Sequence, residues 1–175
     1  MIKLFNETTI FNQDSFGANV LISYVVSLLE KYFRTTFENI LECMESDIFE
    51  KIREKTRVPK WVKLKRENGE ISEFEYVSFG YSFQNIGKII SNFQDLLLID
   101  LTSIFDKRNV LRKTNLQLFE EMFDRRHKNI HGLKYEYYTL EKLEKLVKII
   151  EKVLNLTYKK LMHHYGHRVS FLELL

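Results

Sequence analysis

The sequence predicts an all-α protein, a bundle of four to five helices that carries one small β-hairpin as an insertion. The 175 residues include one proline and six glycines, so residues that interrupt helices are scarce. Apolar side chains recur every three to five positions along several long stretches, which is the spacing of one helix face. The length is typical of a single domain, and we expect residues 1–175 to form one.

The first long element covers residues 16–55, where apolar side chains recur at helical spacing. A helix of this length is unusual in a small domain, and we expect a break at Thr35-Thr36 because both residues are β-branched. The one cysteine, Cys43, excludes an internal disulfide, and we expect it to be a small core residue. The predicted core stripe consists of Val20, Tyr24, Leu28, Tyr32, Phe37, Ile40, Met44, Ile48 and Ile52.

The predicted insertion covers about residues 57–79. Asn68-Gly69 lies between two runs in which apolar and polar residues alternate, residues 61–66 and residues 71–77. This pattern is typical of two antiparallel strands joined by a two-residue turn. We therefore predict a β-hairpin that packs against the helices, since an isolated hairpin is only marginally stable.

Three further helices are predicted from their start and stop signals. Ser82 is expected to be the N-cap of the first, which runs to about Leu98 and is followed by a short apolar segment. Thr114 and Gln117 form a capping box at the start of the second, and the third begins near Thr139. The predicted stops of the second and third helices are Gly132 and Gly166.

Positive charge is concentrated in one segment. Residues 51–66 carry eight basic side chains and one acidic side chain, whereas the whole chain has a net charge of +3. Such a local field is a candidate path for the phosphates of RNA. The alternatives are a solvated helix end and a surface for an acidic partner protein. The residues predicted to contact RNA here are Lys63, Lys65 and Arg66.

Several functional classes find no support in the sequence. No apolar run reaches the ~20 residues of a membrane helix and no secretory signal is visible, so we expect a cytoplasmic protein without a membrane partner. No glycine-rich phosphate loop or nucleophile elbow occurs. The histidines near the C-terminus lack the pattern of a zinc site, and we expect no metal and no other cofactor. These residues are His163, His164 and His167, with Glu173 nearby.

The stretch RHKNIH, residues 126–131, places two of the five histidines beside an arginine. On a helix, His127 and His131 share a face, whereas Arg126 and His131 are about 140° apart. Arg126 and His131 therefore converge only if the last turn is distorted, if the arginine side chain wraps round the helix, or if a second copy of the chain supplies the partner. Basic residues at this position also suit the dipole of a helix C-terminus without any further function.

The same residue types suit cleavage of a phosphodiester bond without a metal. Histidine gives or takes a proton near neutral pH, and arginine binds a phosphate through two hydrogen bonds. Such a pair can activate a ribose 2′-hydroxyl, stabilise the pentacoordinate phosphate and protonate the leaving oxygen. Four neighbouring residues are predicted RNA contacts: Arg125, Lys128 and Asn129 at the phosphates, and Tyr135 by stacking on a base.

The motif Arg126-His127-x-x-x-His131 resembles the Arg-x(4–6)-His signature of the HEPN superfamily, and the following Gly132 resembles the RHxxxHG form of several bacterial HEPN groups. The order of helices, with the motif at the end of a late helix and one long helix after it, is also similar. The hairpin has no counterpart in the pattern of this family.

The resemblance implies a helical homodimer in which two motifs meet in a cleft. It implies a metal-independent endoribonuclease, often a toxin or an antiviral effector with an antitoxin or defence-system partner. Arg126 and His131 would then be the catalytic pair and His127 the polar residue between them. Other members of the superfamily have lost catalysis. The alternative is therefore a catalytically silent module that binds RNA or a partner protein through its basic segment.

Overall fold

The computed structural model describes the backbone of residues 13–131 and 139–165, and the side chains of residues 20–128 and 139–165. Within these ranges the chain is helical and contains no β-strand, in agreement with the all-α prediction. Five of the helices described have ten or more residues, and three short ones connect them. The helices are α1 (Gln13–Glu42), α2 (Ser46–Lys55), α3 (Lys60–Glu67), α4 (Glu73–Ser78), α5 (Ile86–Leu97), α6 (Thr102–Phe105), α7 (Asn115–His131) and α8 (Leu140–His164).

α1 is a single helix of 30 residues, and the predicted break at Thr35-Thr36 is wrong. β-branched residues lower helix propensity by only a few tenths of a kcal/mol. Phe33 and Phe37 on either side of the two threonines are fully buried, and this tertiary packing outweighs the local preference. The helix ends instead at Glu42.

The buried face of α1 differs from the predicted stripe in its first half. Val20, Tyr24 and Leu28 are exposed, because the segment is apolar on more than one face and spacing alone does not show which face meets the core. Cys43 lies just after the helix and is exposed, so its prediction as a core residue is wrong. The residues of α1 that enter the core are Ile22, Val26, Leu29, Phe33, Phe37, Ile40 and Leu41.

The predicted hairpin is also wrong. Residues 61–66 lie within α3, and most of residues 71–77 lie in α4. A hairpin turn of the expected type needs positive φ at both central residues. Here Asn68 has φ −79°, the right-handed helical value, and only Gly69 is left-handed, with φ +72°. The Asn-Gly pair therefore ends a helix and does not join two strands.

The end of α3 is closed by two backbone hydrogen bonds. The N–H of Gly69 donates to the carbonyl of Arg66 at 2.9 Å, and the N–H of Glu70 donates to the carbonyl of Lys65 at 2.9 Å. Together they form a Schellman motif, in which the left-handed residue satisfies the last carbonyls of a helix. Glycine is favoured at this position because its φ is positive.

α5 begins later than predicted, because Asn85 and not Ser82 is its N-cap. The side chain of Asn85 accepts a hydrogen bond from the N–H of Lys88 at 3.2 Å. Ser82 lies in the preceding turn, where its carbonyl accepts a hydrogen bond from the buried amide of Asn92 at 2.9 Å. The helix ends at Leu97, and its C-cap, Leu98, adopts φ 56°.

The predicted starts of the last two long helices are confirmed. The hydroxyl of Thr114 accepts from the N–H of Gln117 at 3.1 Å, and the Gln117 side chain accepts from the N–H of Thr114 at 3.0 Å. Thr139 caps α8 by accepting from the N–H of Lys142 at 3.3 Å. The predicted stops, Gly132 and Gly166, lie outside the described residues.

α1 is the central helix and packs against α4, α5, α7 and α8. Phe33 and Phe37 meet Phe93 of α5 nearly edge to face, at centroid distances of 6.1 and 6.0 Å. The contact between α1 and α7 brings the C-terminal half of α7 beside the middle of α1. None of the helices described is both long and apolar enough to cross a bilayer.

Candidate functional site

Arg126, the first residue of RHKNIH, is ion-paired with Glu30 of α1. Its Nη1 donates a hydrogen bond to Oε1 of Glu30, and the two side chains are 24% and 15% exposed. The pair is largely enclosed where α7 packs on α1. The ion pair holds the guanidinium of Arg126 in one orientation, and only a small part of the arginine side chain stays exposed to solvent.

Burial changes the pKa of the Glu30 carboxyl. Removal from water raises the pKa of Glu30, while the positive charges of Arg126 and Arg34 and the hydrogen bond from Arg126 act in the opposite direction. The desolvation is the larger effect, so Glu30 is less acidic than an ordinary glutamate. The geometry nevertheless gives Arg126 a direct hydrogen-bonded partner.

The side chains next to Arg126 on α7 point in directions different from that of Arg126. His127 and Lys128 are exposed, and Arg125 is half-buried. Successive helical residues point about 100° apart, so these side chains leave α7 in different directions. Because Arg126 faces α1, His127 presents its imidazole on another side of α7.

The backbone of α7 is α-helical through His131, so the distorted last turn that would bring Arg126 and His131 together is not present. The Arg126 guanidinium bonds Glu30 of α1. The side chains of Asn129 and His131 and the whole of Tyr135 lie outside the described residues.

The basic segment of residues 51–66 is partly neutralised by its neighbours. Glu73 of α4 lies 2.5 Å from Nη2 of Arg66 and 3.8 Å from Nη1 of Arg53, and Arg53 is also 2.8 Å from Glu50. The ammonium of Lys65 lies 5.9 Å from the ring centroid of Trp61. In the folded chain, acidic and aromatic side chains therefore lie against several of the basic side chains that are close together in the sequence.

Lys63 and Arg66 line a surface cavity of about 480 Å³. Glu67 and Glu73 belong to the same lining, and Tyr76 is also part of it. The cavity is consequently mixed in charge and not uniformly basic.

Sequence reasoning missed a second basic surface, between α8 and the loop that joins α6 to α7. Lys107 and Arg108 of that loop and three lysines of α8 line one groove of about 280 Å³. The spacing of the α8 lysines is visible in the sequence, but Glu141, Glu144 and Glu151 of the same helix lower the net charge of the segment, so it does not stand out as basic. The three lysines are Lys145, Lys148 and Lys152.

The histidines at the end of α8 are exposed, and the ring of His164 meets the ring of Tyr165 at 5.1 Å. Among the described residues there is no group of three or more side chains placed to hold a metal ion. His167 and Glu173 lie outside those residues.

No protein-family model matches the chain, and no curated protein or solved structure matches it either.

Proposed function

We propose that this chain is a metal-independent endoribonuclease of the HEPN type that acts as a homodimer, as a toxin or an antiviral effector in the cytoplasm. The observation that carries the proposal is the placement of Arg126. Its guanidinium is fixed by Glu30 with a small exposed edge, directly before the exposed His127 in the sequence. A fixed guanidinium can balance the charge of a phosphate and histidine side chains can transfer protons, so these residue types support phosphodiester chemistry.

The reaction needs one base, one acid and one fixed cation. His131 takes the proton from the ribose 2′-hydroxyl as that oxygen attacks the phosphorus, and the bond between phosphorus and the 5′-oxygen breaks. His131, now protonated and assisted by His127, gives a proton to the departing 5′-oxygen. The products are a 2′,3′-cyclic phosphate and a 5′-hydroxyl, and Arg126 balances the charge of the pentacoordinate phosphate.

A second copy of the chain is part of the proposal for a geometric reason. On a regular helix, Arg126 and His131 point about 140° apart, and α7 is α-helical through His131. Apolar side chains on the outer face of α1 offer a surface for a symmetric contact. Val20, Leu21, Tyr24 and Leu28 are 47–60% exposed there, on the helix that also carries Glu30.

RNA cleavage by the purified chain in EDTA tests the proposal. Wild type should cut single-stranded RNA, and His131→Ala and Arg126→Ala should each lose at least about a hundredfold in rate. Circular dichroism and the thermal midpoint of the His131→Ala variant should match wild type. RNA and tRNA that remain intact with wild type, or cleavage that survives His131→Ala, would contradict the proposal.

The second candidate is a silent module that binds RNA through the basic segment. It is favoured by the cavity in which Lys63 and Arg66 stand beside the aromatic ring of Tyr76. Under this alternative, replacing Lys63 and Lys65 with glutamine weakens RNA binding, whereas His131→Ala leaves it unchanged. Electrophoretic mobility shifts of both variants distinguish the two functions.

A further inference from the structure

A line of lysines runs along one side of α8. Lys145, Lys148, Lys152 and Lys159 are spaced by three, four and seven residues, so they fall within about 60° of one another around the helix. At about 1.5 Å per residue, the line extends about 21 Å along the axis. This is much longer than a single phosphate group and suits an extended anion.

The lysine line forms one wall of a continuous groove. The loop residues Lys107, Arg108 and Val110 form the opposite wall, and a neighbouring concavity of about 340 Å³ continues along α8 to Lys159. Lys148 and Lys152 line both concavities, which joins them into one surface. On the side of α8, the apolar part of the lining is Ile149, Val153 and Leu156.

The loop that carries Lys107 and Arg108 is held in one conformation by the buried Asn115. The side-chain amide of Asn115 donates to the carbonyl of Ile104 at 3.0 Å, and its oxygen accepts from the side-chain amide of Asn109 at 3.3 Å. The backbone N–H of Asn115 donates to the carbonyl of Lys107 at 2.9 Å. The backbone that carries these two cations is therefore ordered before any ligand arrives, which lowers the entropy cost of ordering the loop on binding.

Four of the cations that line this groove are not held in ion pairs with described residues. Lys107, Arg108, Lys148 and Lys152 have no carboxylate partner within 4 Å among the described residues. Lys145 does bond Glu141, at 2.6 Å, but both groups are largely exposed and such pairs contribute little. Among the residues that line the two concavities, Glu151 is the acidic one.

We propose that this groove binds the phosphate backbone of a nucleic-acid strand, and the choice of RNA as that strand rests on the proposed function. Lysines act as point charges on phosphates, and no aromatic side chain lines the two concavities to stack on a base, so the contact is independent of base sequence. Asn115, which lines the groove, is about 16 Å along α7 from Arg126. The groove is thus a separate surface, and RNA binding there requires neither Arg126 nor His131.

The test measures RNA binding without cleavage. The probe is a fluorescein-labelled single-stranded RNA of twenty nucleotides with 2′-O-methyl groups, which lacks the attacking hydroxyl. Its fluorescence anisotropy is followed with the full chain over a range of salt concentrations. The variant Lys148→Gln/Lys152→Gln should weaken binding by about tenfold and reduce the slope of log K against log salt by about 1.4.

The matched control is Lys31→Gln/Lys88→Gln, which removes the same charge from exposed positions elsewhere. It should change the dissociation constant by less than about twofold. Equal effects of the two double variants, or wild-type affinity of Lys148→Gln/Lys152→Gln, would overturn the proposal. A preference for DNA of the same sequence over the RNA probe would also overturn it. Because the probe cannot be cleaved, none of these results depends on catalysis at RHKNIH.

Discussion

Arg126 and Glu30 are 96 positions apart in the sequence and share a hydrogen-bonded ion pair where α7 meets α1. Glu30→Ala should leave a largely buried guanidinium without its partner and lower the free energy of unfolding by about 1–3 kcal/mol. Urea unfolding measures this change. In a double-mutant cycle with Arg126→Ala, we expect the two effects to be coupled; simple additivity would show that the pair contributes nothing.

A mixed dimer tests whether the site is shared between two chains. Arg126→Ala and His131→Ala should each be inactive alone. A heterodimer of the two, purified with two different tags, retains one complete site if Arg126 of one chain works with His131 of the other, and should show about half the wild-type RNA cleavage. An inactive heterodimer of normal stability would mean that both residues must come from the same chain.

The pH dependence of stability should reveal the half-buried carboxyl of Glu38. Burial raises the pKa of Glu38 above its ordinary value of 4.5, and the charge of Glu75 acts in the same direction, while the hydrogen bond from Ser78 and the charge of Arg34 oppose it. The native state thus favours the protonated form. The stabilising effect of this group is present below the unfolded-state pKa and is lost as pH rises through the folded pKa.

Glu38→Gln removes this titration and keeps an oxygen that accepts from the Ser78 hydroxyl. We expect the variant to gain in free energy of unfolding relative to wild type between pH 4 and pH 7. Thermal unfolding at several pH values measures the difference. A difference that stays constant, or that shrinks as pH rises, would show that Glu38 ionises freely in the native state.

Gly69 is expected to matter because of its backbone conformation alone. Its φ is +72° and no atom lies within 4 Å of the position of an added Cβ, so Gly69→Ala should cost about 1 kcal/mol through the left-handed conformation. Asn68→Ala should cost little, since Asn68 is right-handed. Equal destabilisation by the two substitutions would contradict this prediction, because it would indicate a turn in which both residues have positive φ.

Short-range signals in the sequence predicted the starts of the last two long helices. The capping box at Thr114 and the helix start near Thr139 depend on contacts three residues away, and both predictions are confirmed. The hairpin prediction failed because Asn-Gly suits a helix end as well as a turn. The capping box of Ser72 and Glu75, also written in the sequence, starts α4 where a strand was expected.

Long-range relationships could not be predicted in this way. The RHKNIH stretch was correctly placed on a helix, but nothing near Arg126 in the sequence indicates that its partner is Glu30. The basic groove likewise needs Lys107 and Lys148 to meet across the fold. The exposed face of α1 at Tyr24 was mistaken for the core because both faces of that segment are apolar.

The long central helix α1 affects how the protein unfolds. α1 packs against α4, α5, α7 and α8, so it cannot detach without disrupting much of the core. The amide hydrogens near Phe33 and Phe37 should therefore exchange with solvent only through global unfolding. The carboxyl of Glu30 lies one turn from Phe33, and Arg126 is accordingly anchored to the part of the chain that opens last.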